Sequence, residues 1–214
     1  MNKIRLPRID ERKKVCVICE GYEEYEYLEK IKELNVWDSK YDIYLENATG
    51  NGNVFARYQD KYQNGSFDII LIFCDTEKKP YEQYIDIKRK VCEFHGLELG
   101  NKVINEIIYF ANPCTMQIII MHWKEVMLTS NSKKVNAPII EESIGVSCYK
   151  GKAEHRKALF EGITVENYYS MKTRIENLGQ DDTQKGSSNF IKFIKYLSSD
   201  DVSWITDINK IIEE

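Results

Sequence analysis

VCVICEGYEEYEYLEKI, residues Val15 to Ile31, changes character at a single dipeptide. The apolar, β-branched run Val15 to Cys19 reads as a strand buried on both faces. From Tyr22 onward, Tyr27, Leu28, Ile31 and Leu34 fall on one stripe of a helix. Between the two stands Glu20-Gly21, a carboxylate followed by the residue with the freest backbone, placed for a sharp turn and close approach to a ligand. A second stretch repeats the arrangement. Phe67 to Cys74 (FDIILIFC) is the strongest strand signal in the chain, and it stops at Asp75-Thr76-Glu77. In open α/β sheets ligands bind beyond the carboxyl ends of the strands, so both acidic corners lie where a site is expected.

Working outward, Tyr41 to Leu45 reads as a half-exposed strand and Glu106 to Ala111 as a fourth. Asn47 to Asn53 is a loop by composition, and Val54 to Tyr62 is a helix. Pro80 introduces a helix over Tyr81 to Phe94, and Asn112-Pro113 caps and starts another that reaches about Val126. From about Glu141 the pattern is helical: Lys152 to Phe160, Thr164 to Leu178, Ser188 to Leu197 and Val202 to Ile212, with Gly179 to Gly186 a polar, mobile loop. Strands alternating with helices predict an α/β domain over residues 1–140, with a central, mostly parallel four-stranded sheet flanked by helices. A helical extension packed on it is expected over residues 141–214.

At 214 residues and 43% hydrophobic, the chain can bury a core. No apolar run approaches the roughly 20 residues of a membrane span, and the charged N-terminus lacks an apolar signal segment, so a cytoplasmic protein is expected. Cys16 and Cys19 form a C-x-x-C, but their odd offset in a strand sends the thiols to opposite faces. No second C-x-x-C or H-x-x-x-H completes a zinc site, so the six cysteines read as free and mostly buried thiols. The net charge of −4 neither requires nor excludes nucleic acid as a partner.

Asp75 and Glu77, two apart on an extended chain, share a face, and Glu20 from a neighbouring strand completes an oxygen-rich trio suited to Mg²⁺ or Mn²⁺. Glu24, one helical turn after Glu20, is a further ligand, an orienting group or a plain exposed acid. Positive charge concentrates in YKGKAEHRK, where Lys150, Lys152, Arg156 and Lys157 either hold phosphates near the acidic corner or form a solvated face paired with Glu154 and Glu161. His122 reads as a hydrogen-bonded core histidine, and Ser187 or Ser188 as an N-cap. The Gly50-Asn51-Gly52 loop lacks the Lys-Ser/Thr of a phosphate-binding loop.

Glu20-Gly21-Tyr22-Glu23-Glu24-Tyr25-Glu26-Tyr27-Leu28 resembles the E-G-x-T-E-x-x-Y-F opening of TOPRIM domains, and Phe73 to Glu77 is similar to their apolar strand ending in D-x-D. Ala111-Asn112-Pro113-Cys114 with His122-Trp123, and Gly186-Ser187-Ser188-Asn189 with Phe190 to Leu197, resemble segments of the RloB-like branch, in the same order along nearly the whole chain. The chain departs from that pattern at Glu77 (usually Asp), Glu23 (Thr), Met116 (Glu), Ile118 (Trp) and Gly186 (Pro). The resemblance implies a TOPRIM-like Rossmannoid fold and a Mg²⁺- or Mn²⁺-dependent nuclease of bacterial anti-phage defence. Glu20, Asp75 and Glu77 would be metal ligands, with Glu24 catalytic beside them, and DNA or RNA would be cleaved by two-metal-type hydrolysis. It further implies an ABC-type ATPase as protein partner, with the C-terminal helices as a partner or homo-oligomer surface. The alternative is a catalytically weak TOPRIM module that binds an ATPase partner or a nucleotide.

Overall fold

The computed structural model describes residues 12–76 and 78–213. The two apolar runs become neighbouring central strands. β1 (Lys13–Cys19) pairs in parallel with β2 (Tyr41–Asn47) on one side and with β3 (Ile69–Asp75) on the other, and β3 pairs in parallel with β4 (Ile108–Ala111). The order β2-β1-β3-β4 makes one four-stranded, all-parallel sheet. Val15 to Cys19 and Ile69 to Cys74 are buried, as a strand covered on both faces requires.

Helices cover both faces. α1 (Tyr22–Glu33) follows β1, α2 (Asn51–Asn64) follows β2, and α3 (Lys78–Phe94) follows β3. α2 packs on α3, where Tyr58, Tyr62, Phe94 and His95 form an edge-to-face aromatic cluster. The remaining elements are α4 (Ile104–Ile107), α5 (Met116–Ile120), α6 (Lys133–Ile144), α7 (Ala153–Glu161), α8 (Val165–Ile175), α9 (Phe190–Leu197) and α10 (Ser203–Glu213). Among these, α7 packs on α1, α5 and α9 pack on α8, and α9 packs on β4. Phe190 links that side to the sheet, stacked on Phe73 at 4.8 Å and on Phe193 at 5.0 Å between centroids.

Several local expectations are corrected. The loop expected over Asn47 to Asn53 is shorter, because α2 already starts at Asn51. The strand expected from Glu106 starts only at Ile108: the Asn101 side chain accepts from Val103 N–H, a helical turn forms, and Glu106 turns out to Lys192 and Tyr196. The helix expected from Asn112 to Val126 shrinks to five residues, with Thr115 and not Asn112 at its N-cap position and no side-chain cap bond. The Asn112 side chain instead donates to Asp182 O. Gln117 then folds the following segment back, donating to Val126 O and accepting from Leu128 N–H. The Gly179 to Gly186 loop is pinned, since Asp182 accepts from Lys88 at 2.8 Å and Tyr84 at 3.0 Å, and Gly186 N–H donates to Asn112 O. α6 was not anticipated and runs through the expected boundary at residue 140. One hydrophobic core spans the strands and the C-terminal helices.

Ser188 and Asn189 close the outer edge of β4. The expected serine N-cap is corrected, because Asn189 holds the N-cap position of α9; Ser188 Oγ instead donates to Phe110 O and accepts from Phe190 N–H, bridging the strand and the helix start. Asn189 Oδ1 accepts from Phe110 N–H at 2.8 Å, and its Nδ2 donates to Ile108 O at 2.9 Å. A side chain thus stands in for a neighbouring strand at an edge that would otherwise expose unpaired backbone. The six cysteines are free; five are buried and Cys148 is exposed.

His122 is a core histidine, as expected. Its Nδ1 lies 3.1 Å from Asn167 Oδ1 and its Nε2 lies 3.0 Å from Tyr27 OH, so Nδ1 carries the proton and Nε2 accepts. Burial pushes its pKa down to about 4. A folded-state pKa below the unfolded one contributes stability that is complete above the unfolded value and lost as pH falls toward the folded one. Between pH 6.5 and 4 this loss reaches on the order of 3 kcal/mol. Denaturant unfolding at pH 7 and pH 4.5 should show a smaller loss in His122→Asn than in the native chain; equal losses would remove His122 from the acid response.

Candidate active site

Crossovers from β1 run to β2 and then back past β1 to β3, so the connections diverge between β1 and β3. That switch point is where open α/β sheets leave a crevice. Glu20 directly follows β1 and Asp75 ends β3, so both lie at the mouth of this crevice. Asp75 N–H donates to Glu20 Oε2 at 2.9 Å, which ties the two strand ends together. Asp75 Oδ1 accepts from both the N–H (2.7 Å) and the hydroxyl (2.8 Å) of Thr115, brought in by the turn before α5.

Glu24 is buried rather than exposed, and it accepts from Gly21 N–H at 3.0 Å. This is the N3-to-cap half of a capping box, and it holds the start of α1 against the corner. The expected role of Gly21 is corrected. Its φ of −146° is extended backbone open to any residue, and an added Cβ would sit 3.4 Å from the Glu24 carboxylate. The glycine that the corner does require is Gly50, with φ of +125°, whose N–H donates to Glu20 O at 2.7 Å.

A cavity of about 340 Å³ opens over these groups, and Glu20, Glu23, Glu24 and Asp75 form its acidic side. Burial raises the pKa of Asp75 well above the ordinary carboxylate value, and the charges of Glu24 and Glu20 push it further. Burial and then the charge of Glu23 raise that of Glu24. Negative charge therefore gathers at this corner.

Opposite stand two cations. Arg156 makes a two-pronged pair with Glu26 at 2.7 and 2.8 Å, donates to Gly151 O and lies 5.4 Å from the Tyr22 ring centroid. Lys133 reaches Glu23 Oε2 at 3.3 Å, and Tyr149 OH donates to the same oxygen at 3.0 Å. Of the expected basic cluster, only Arg156 lines the cavity. Lys150, Lys152 and Lys157 are exposed, the last two 3.9 Å from Glu154 and Glu161. Glu77 lies outside the described residues.

The sequence reading missed Lys133, Asn136, Thr115 and Tyr149. The first two, with Ile140, recur at helical spacing on α6, and Pro138 within that helix masks the pattern.

Among the described residues no three carboxylates, histidines or cysteines form a metal-holding group. Mg²⁺ does not need one: it keeps several waters and is commonly bound by one or two carboxylates plus substrate phosphates. The pair of oxygen donors at the two strand ends, Glu20 and Asp75, fits that mode. No helix among the described residues is long and apolar enough to cross a membrane. Comparisons with protein-family models, curated proteins and solved structures find no match to the chain.

Proposed function

We propose that the crevice is the active site of a TOPRIM-like, Mg²⁺- or Mn²⁺-dependent phosphodiesterase acting on DNA or RNA. The observation that carries this reading is the pair Glu20 and Asp75, joined at the switch point, with Asp75 pushed toward protonation by burial and by the charges of Glu24 and Glu20. Glu20 and Asp75 would hold the ion, with Glu77 following on the same chain. A bound divalent ion would supply an activated water and charge neutralisation at the phosphodiester. Glu24 keeps the β1–α1 corner in register through Gly21 N–H. Lys133, exposed and carrying three rotatable donors, is placed to meet a phosphate by leaving Glu23. Arg156 is committed to Glu26 and serves as a fixed wall. The role in phage defence and an ABC-type ATPase partner belong to the same proposal and rest on the motif resemblance alone.

A second reading is a TOPRIM module that binds a partner ATPase or a nucleotide without cleaving. Met116, buried in the cavity wall at the position of the family's glutamate, favours it. Incubation with DNA and RNA at millimolar Mn²⁺ separates the two. Cleavage stopped by chelator and reduced about 10²-fold or more in Glu20→Ala and Asp75→Ala is expected for the enzyme. Cleavage persisting in either variant overturns the site assignment, and none with any substrate moves the choice to the binding module.

A further inference from the structure

α6 supplies one wall of the crevice, and Lys133, Asn136 and Ile140 all line the cavity from one helical stripe. Asn136 is only 3% exposed. Its Nδ2 donates to Ser130 O at 2.9 Å, which sets the orientation of the amide. The oxygen, Oδ1, is buried and has no hydrogen-bond partner among the described residues. A buried acceptor left unpaired is costly and uncommon, and it marks a place where a donor is missing. Around it the wall turns apolar, with Ile140, Met116 and Tyr149 all buried there. An apolar wall with one buried, unpaired acceptor, beside a cation and a carboxylate pair, has the layout of a site for an aromatic, N–H-bearing ring attached to a phosphate.

We propose that this end of the cavity is a nucleobase subsite, in which a base lies against Ile140 and Met116 and donates a ring or exocyclic N–H to Asn136 Oδ1. The phosphate of the same nucleotide then points toward Lys133 and the acidic corner. This rests on the phosphodiesterase reading of the crevice and narrows its substrate class. A volume of about 340 Å³ is near the lower end of the roughly 300–1,000 Å³ of small-ligand sites. It holds one nucleotide and excludes a stacked duplex, so the substrate presents an unpaired or extruded nucleotide.

Nucleosides test this without metal or phosphate. Adenosine, guanosine, cytidine and uridine are titrated into the metal-free protein alongside purine riboside, whose base carries no N–H, and binding is followed by amide chemical shifts. The ribose is common to all five, so the affinity ratio isolates the base donor. At least one natural nucleoside should bind about ten-fold more tightly than purine riboside. Asn136→Leu should bring that ratio below about two-fold, while Ile140→Ala weakens all five together and leaves the ratio standing. Equal binding of all five, no binding of any, or a ratio that survives Asn136→Leu or collapses in Ile140→Ala overturns the subsite. Nucleoside discrimination without cleavage would remove the phosphodiesterase reading and keep the subsite; cleavage without discrimination would do the reverse.

Discussion

Asp75→Asn is expected to raise the thermal midpoint of the metal-free protein at pH 7 while abolishing metal-dependent cleavage. The asparagine keeps an oxygen for the Thr115 N–H and hydroxyl, so the geometry of the turn before α5 is preserved. What it removes is a charge that burial, Glu24 and Glu20 all disfavour. A carboxyl with a raised folded-state pKa costs nothing while both states are protonated. As pH rises past the ordinary carboxylate value the unfolded chain ionises first, and stability is lost until the folded group ionises as well. The native chain should therefore lose stability over that window, and Asp75→Asn should not.

The gain at pH 7 is expected as a rise of a few °C in midpoint, each kcal/mol being worth about 2–4 °C for a chain of this size. Millimolar Mn²⁺ should reverse the ranking, because an ion bound only by the folded state raises the native midpoint and not that of the variant. Scanning calorimetry of both proteins, with and without Mn²⁺, is the measurement. A variant less stable than the native chain, or equally stabilised by Mn²⁺, would show that Asp75 is a structural cap and not a ligand.

Asn189→Ala should be among the most destabilising substitutions in the molecule, although the residue lies far from the carboxylates in sequence. It removes the acceptor for Phe110 N–H and the donors to Ile108 O and Asn105 O in one step. Two of these backbone groups belong to β4, whose residues are all buried, so water does not replace the lost partner. Stranding such groups costs about 1–3 kcal/mol each, and partial relaxation leaves a net loss of roughly 2–4 kcal/mol. The midpoint should fall by about 5–15 °C. Ser188→Ala, which removes the bond to Phe110 O and the acceptor for Phe190 N–H, should cost about 1–2 kcal/mol. Denaturant titration of the two variants checks the ranking, and a loss below about 0.5 kcal/mol for Asn189→Ala would mean that β4 does not depend on this side chain.

The acids at the corner were legible because each follows an unambiguous apolar strand, and strand ends are where parallel sheets bind ligands. That reasoning reached Glu20 and Asp75 directly, and Glu24 through its helical spacing. It could not reach Arg156's commitment to Glu26, 130 residues apart, nor the Tyr149 and Lys133 contacts to Glu23. It also misassigned Gly21 in place of Gly50, because which glycine needs a positive φ depends on how two loops meet.

By itself, the sequence determined the α/β class, the two central strands, the carboxylates at their ends, the core role of His122 and the free thiols. Each follows from local periodicity or from the side chain's own chemistry. Only the tertiary structure decided that β1 and β3 are neighbours, that α6 supplies Lys133 and Asn136 to the crevice, and that Asn189 completes the sheet edge. Those features depend on which buried polar group finds which partner, and the partners come from segments brought together only when the chain folds.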